Sequence, residues 1–163
     1  MQNATWSQEK LMVSYETHRL MIYRICYAYM KNTADTEDLV QDTFIQLIKK
    51  QPLFKNAEHE KAWLIRVATN LCKNKLKHWW RKKRTYFETL DPMQGPENLE
   101  INEVLQVILD LPDKYKTAIY LYYYEGYNSV EIAEILGKPP STIRSHLSES
   151  RQILKEKLGG EIK

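Results

Sequence analysis

Residues Tyr127–Gly159 read YNSVEIAEILGKPPSTIRSHLSESRQILKEKLG. Asn128, with Glu131 three positions on, forms the signature of a capping box that opens a helix over VEIAEIL. Gly137 suits the left-handed residue just past a helix end. Pro140 suits the first turn of the next helix, which the spacing predicts over about Ser141–Leu158. In that helix Ile143, Leu147, Ser150, Leu154 and Leu158 recur on one side. Ser141, Thr142, Arg144, Ser145, Ser148 and Arg151 fall on the other. A short amphipathic helix, a glycine turn and a longer helix with a small, polar and basic outer face make a helix-turn-helix. Such a unit enters a DNA major groove by the N-terminus of its second helix. The plainer alternative is an ordinary helical hairpin. His146 has no companion ligands and is expected to pack at the helix edge.

Outward from this motif the pattern stays helical. No segment alternates like a strand, and Gly and Pro cluster in a few places. Leu11, Leu20, Ile22, Ile25, Cys26 and Tyr29 recur at helical spacing over about Ser7–Met30. KNTADTED breaks that helix and supplies caps, a second helix runs to about Lys50, and Pro52 ends it. A polar loop follows to Glu60, and a third helix starts near Lys61. TYFETLDPMQGPE, about Thr85–Glu97, carries two prolines, a glycine and three acids, and reads as a flexible linker. Two more helical segments, about Asn98–Asp110 and Asp113–Tyr124, precede the helix-turn-helix, with Leu111-Pro112 between them. The expectation is an all-α chain of two small helical domains, residues 1–84 and 98–163, joined by an acidic linker over 85–97.

The third helix ends in NLCKNKLKHWWRKKR, Asn70–Arg84, with seven Lys or Arg and no acid. At 100° per residue, Leu64, Val67, Ala68, Leu71, Cys72 and Trp79 share one side. Arg66, Asn70, Lys73, Asn74, Lys77 and Arg81 share the other, with Trp80 at its edge. Lys75 lands among the apolar residues: either its stem lies along them while its ammonium reaches water, or the core stops there. Basic residues neutralise phosphates, asparagine bonds base edges, and an aromatic ring stacks on an unpaired base. A membrane-surface helix would need its apolar side uncovered, and here two earlier amphipathic helices are available to cover it. Trp80 is expected to contact DNA or a partner.

On the second helix Leu39, Val40, Phe44 and Leu47 make the inner side. Asp38, Gln41, Asp42 and Ile45 gather opposite, an apolar residue ringed by acids and an amide. That patch suits docking to a basic protein surface. Equally, the acids can be solvated residues favoured by the helix N-terminus. No His or third acid joins them, so metal binding and acid–base catalysis are not expected, and no cofactor is called for. The net charge of +3 conceals strong segregation. Lys61–Arg84 holds nine bases and no acid, whereas Thr85–Asp113 holds seven acids and no base. This favours a polyanion on one face and a different partner elsewhere. Cys26 and Cys72 read as core residues of a reducing compartment. With neither a signal peptide nor a membrane span in view, a cytoplasmic protein is expected.

Three stretches in this order resemble the extracytoplasmic-function (ECF) group of bacterial RNA polymerase sigma factors over nearly the whole chain. DTEDLVQDTFIQLIK looks like the family's polymerase-docking helix and AWLIRVATNLCKNKLKHWWRKKR like its promoter-melting helix. LPDKYKTAIYLYYYEGYNSVEIAEILGKPPSTIRSHLSESRQIL looks like its region four helix-turn-helix. The resemblance implies that Asp38, Gln41 and Asp42 meet the clamp helices of the polymerase β′ subunit. It places Phe54 in a loop that helps form the pocket for a base flipped out of the minus-ten element, and Asn70 near that pocket. The C-terminal helix would read the minus-thirty-five element, chiefly through Arg144, Ser145, Ser148 and Arg151. Implied partners are core RNA polymerase (β′ clamp and β flap), promoter DNA and an anti-sigma factor, with no small-molecule substrate and no enzyme activity. Where the family often has glycine this chain has Asn56, and where many relatives have a base it has Glu149. Its turn holds Pro139-Pro140, and the family pattern does not explain the tandem Trp79-Trp80. The competing reading is a stand-alone helix-turn-helix regulator with an N-terminal sensing or dimerising domain; a basic nuclease would need catalytic residues that the sequence does not assemble.

Overall fold

The computed structural model describes residues 6–82 and 103–159, with the side chains of residues 79–82 and 103 left out. It divides into two compact units at Gly95/Pro96, a point inside the linker read from the sequence and outside the described residues.

The first unit is a three-helix bundle of α1 (Gln8–Met30), α2 (Thr33–Lys50) and α3 (Ala57–Lys82), each packed on the other two. Ser7 caps α1, its Oγ accepting from Lys10 N–H at 3.0 Å. Only Lys31 and Asn32 separate α1 from α2. Lys31 takes the left-handed conformation at φ 60°, and Asn32 Oδ1 accepts from Asp35 N–H at 2.8 Å. The stretch KNTADTED therefore does break α1 and supply a cap, and its last six residues are the opening turns of α2. Its acids sit where the helix dipole favours them. Gln51, at φ 41°, ends α2 just before Pro52. Helix α3 also begins one turn ahead of the expected Lys61, because Asn56 Oδ1 accepts from His59 N–H at 2.8 Å. The core gathers Ile22, Ile25, Cys26, Leu47, Leu64, Ile65, Ala68 and Cys72. Buried Thr36 and Thr43 return their hydroxyls to the carbonyls four residues back, at 2.6 and 2.8 Å.

The second unit comprises α4 (Glu103–Asp110), α5 (Asp113–Tyr124), α6 (Ser129–Leu136) and α7 (Pro140–Lys157). Leu105, Ile108, Ile119, Leu121, Ile132, Ile143, Leu147 and Leu154 form its core. Asn128 and Glu131 complete the capping box, with bonds of 2.9 Å each way. Gly137 closes α6 at φ 67°, a conformation open to glycine without steric cost. Pro139 then occupies the N-cap of α7 and Pro140 its first turn. Ser150 faces inward as expected, with its hydroxyl on the His146 carbonyl at 2.6 Å. The described residues contain no strand, so the all-α, helix-turn-helix reading holds.

Candidate nucleic-acid interface

Helix α3 presents Arg66, Asn70, Asn74 and Lys77 as exposed side chains, with Lys73 half-buried among them. Leu64, Ala68 and Cys72 turn the other way into the core, at 0% exposure. The amphipathic wheel thus orients the helix as expected. Lys75 does reach out of the apolar side, and its Nζ lies 3.6 Å from Asp35 Oδ1 on the first turn of α2. The side chains of Trp79, Trp80 and Arg81 lie outside the described residues, and so does the linker.

The polar stripe extends further upstream than its basic part. Stepping back from Asn70 by helical spacing reaches Arg66, Trp63 and His59. At that N-terminal end the Phe54 ring sits edge-on to Trp63, with centroids 5.8 Å apart, and edge-on to His59 at 5.1 Å. Phe54 and Trp63 are both half-buried, leaving part of each ring open. Trp6 also meets the Phe54 ring edge-on, with centroids 5.9 Å apart. Phe54 thus stands at the centre of an aromatic cluster whose α3 members, Trp63 and His59, lie on the Asn70 side of the helix, two and three turns further up. Sequence reasoning missed Trp63 and His59, although their spacing from Asn70 was available; it also missed Trp6, whose contact is set by folding alone.

On α2, Asp38, Gln41, Asp42 and Ile45 are all exposed, opposite buried Leu39, Val40, Phe44 and Leu47. Ile48, one turn on from Ile45, is exposed too and extends the patch.

On α7, Ser141, Arg144, Ser145 and Ser148 are exposed, and Thr142 is half-buried. Arg151 is held more tightly than its place on the wheel suggests. Its Nη1 donates to the Tyr122 hydroxyl at 3.1 Å, and its guanidinium lies 5.2 Å from the Tyr122 ring centroid. Glu149 accepts from the Tyr115 hydroxyl at 2.7 Å, a bond that raises the Tyr115 pKa. The Tyr115 ring meets His146 edge-on at 5.4 Å, so His146 packs at the helix edge. Two tyrosines of α5 therefore brace α7 through its only two charged side chains between Ser145 and Gln152. Exposed Gln152 also falls on the outer face, with Nε2 3.2 Å from Glu156 Oε2, and was not anticipated.

Among the described residues no three His, Cys, Asp or Glu approach closely enough to hold a metal ion. None of the described helices is long and apolar enough to cross a membrane. Cys26 and Cys72 are free, fully buried and hydrogen-bonded to each other, and that contact with burial raises the Cys26 pKa well above its usual value.

The sigma-70 region 2 family matches residues 14–84, and the sigma-70 region 4 family matches residues 101–154. The ECF RNA polymerase sigma factor SigW of Bacillus subtilis is 30% identical over 157 residues, covering 84% of this chain and 82% of that protein. The RNA polymerase sigma factor SigV of the same organism is 27% identical over 146 residues, covering 88% of each. Among solved structures, the sigma factor RpoE of Bartonella quintana, in complex with the anti-sigma factor NepR, shares this fold. Its TM-score is 0.75 at 22% identity, over 95% of this chain and 98% of that one.

Proposed function

The chain belongs to the ECF group of RNA polymerase sigma factors, and from that premise we propose how its residues divide the work. The protein binds core RNA polymerase and directs it to promoter DNA. The exposed patch of Asp38, Gln41, Asp42 and Ile45 docks on the β′ clamp, and the second unit is carried to the β flap. Helix α7 enters the major groove of the minus-thirty-five element with Ser141, Thr142, Arg144, Ser145 and Ser148 foremost. Arg151, held by Tyr122, faces the flanking phosphates. The α3 stripe takes the melted minus-ten strand, with Arg66, Lys73, Lys77 and Arg81 on phosphates and Asn70 and Asn74 on base edges. Phe54 and Trp63 offer stacking surface to an extruded base, and Trp80 belongs to the same face.

The observation that carries this reading is the aromatic end of the basic α3 stripe. A protein that reads only duplex has no use for half-open rings beside asparagines, whereas a single strand stacks on them. Extruding a base costs a few kcal/mol, and stacking returns about 1–3 kcal/mol per base before any phosphate contact is counted. No ATP is required on that balance, and the protein needs no catalysis of its own. The stand-alone regulator leaves both this cluster and the α2 patch without a task. We place the protein in the cytoplasm, restrained there by an anti-sigma factor, by analogy with the NepR complex of its structural neighbour.

Asn70→Ala tests the assignment. In the holoenzyme it should reduce permanganate reactivity of the melted region while polymerase binding stays intact. Unchanged bubble reactivity would remove Asn70 from the melting site.

A further inference from the structure

Trp6 precedes the first helix, yet it is only 4% exposed. The contacts that bury it converge on one short segment. Its backbone N–H donates to Gln51 Oε1 at 3.2 Å, and its indole Nε1–H donates to the Pro52 carbonyl at 3.1 Å. Its ring meets Phe54 edge-on at 5.9 Å, and Lys10 Nζ covers it 4.2 Å from the centroid. Residues 51–56 have no helix of their own. They begin at a left-handed Gln51, φ 41°, that any non-glycine residue adopts with some strain, and they carry Leu53 at 72% exposure. A loop in that state keeps its shape only if something fixes it from outside. Trp6 meets it at three of its first four residues, 45 to 48 positions away in sequence.

We infer that Trp6 is a positioning residue for the melted strand: it sets the loop Gln51–Asn56 so that Phe54 stands at the end of the α3 stripe where an unpaired base stacks. The inference rests on the single-strand reading of that stripe. Trp6 itself is buried and touches no DNA. Its effect is confined to the base that Phe54 meets, and phosphate binding by Arg66 and Lys77 is independent of it.

The test uses the full chain bound to core polymerase and a single-stranded oligonucleotide of the minus-ten strand from a promoter the holoenzyme opens. An abasic site is moved through the element to find the position at which wild type loses most affinity. The quantity read is the ratio of affinities for the intact and the abasic strand at that position. Stacking of one base is worth roughly tenfold or more in this ratio. Trp6→Ala should bring the ratio close to one with the abasic-strand affinity unchanged. Trp6→Phe, which keeps a ring against Phe54 and loses the bond to Pro52, should fall between. Phe54→Ala is measured beside them. If Phe54→Ala leaves the ratio intact, the single-strand reading of this loop fails. If Phe54→Ala collapses it while both Trp6 variants retain the wild-type ratio, the positioning role alone is overturned. Equal loss on both strands in both Trp6 variants would also overturn it, since that is the signature of general unfolding.

Discussion

At Asn70 and Asn74 the α3 stripe exchanges charge for amides, which both donate and accept hydrogen bonds. Their neighbours Arg66 and Lys77 only donate and carry charge. The two kinds of residue should separate by salt. Lys77→Ala should lower the slope of log affinity against log salt for single-strand binding by about 0.7, the value of one phosphate contact. Asn70→Ala should weaken binding and leave the slope alone. A flattened slope for Asn70→Ala would recast it as a phosphate ligand. The buried cysteines give a second prediction at this scale. Cys26 and Cys72 lie at 0% exposure between α1 and α3, and the raised Cys26 pKa disfavours the reactive thiolate. A thiol reagent such as DTNB should label neither in the native protein and both in denaturant; rapid native labelling would contradict their burial. The sequence revealed that both were core residues. It could not reveal that they touch, because that depends on the register of α1 against α3.

Whole elements were more legible than their ends. The capping box at Asn128 and the turn at Gly137 were readable because their chemistry is local. Asn128→Ala should cost the second unit about 1 kcal/mol, read as a lower denaturation midpoint for the full chain. No change in midpoint would mean the cap is idle. The start of α3 was misplaced because a polar first turn looks like a loop until its cap, Asn56, is identified. Asn56, where the family often has glycine, thus has a local task at the head of α3. The bracing of α7 by α5 was not legible either, since Tyr115 meets Glu149 across 34 residues. That bond keeps Glu149, the single acid of the half of α7 proposed to face DNA, directed at α5. Tyr115→Phe should weaken binding of duplex promoter DNA by the holoenzyme, and Glu149→Gln should cancel that loss. Equal loss in the Glu149→Gln background would assign Tyr115 to packing alone.

Over the whole chain, charge segregation does what pairwise contacts do not. The bases concentrate at the C-terminal end of α3 and the acids on α2 and beyond residue 85, which is the distribution the proposed division between nucleic acid and polymerase calls for. Substituting Asp38 and Gln41 together with alanine should reduce capture of core polymerase while leaving promoter binding by α7 unaltered; undiminished capture would move the docking surface elsewhere. If each unit meets DNA through the few residues proposed above, its effect depends on polymerase. Transcription in vitro measures that dependence directly. Core polymerase with this protein should produce discrete transcripts from its promoter on linear DNA without ATP hydrolysis for opening, and core polymerase alone should not. Tight operator binding by the protein by itself, with no promoter-specific transcript on adding core polymerase, would contradict it.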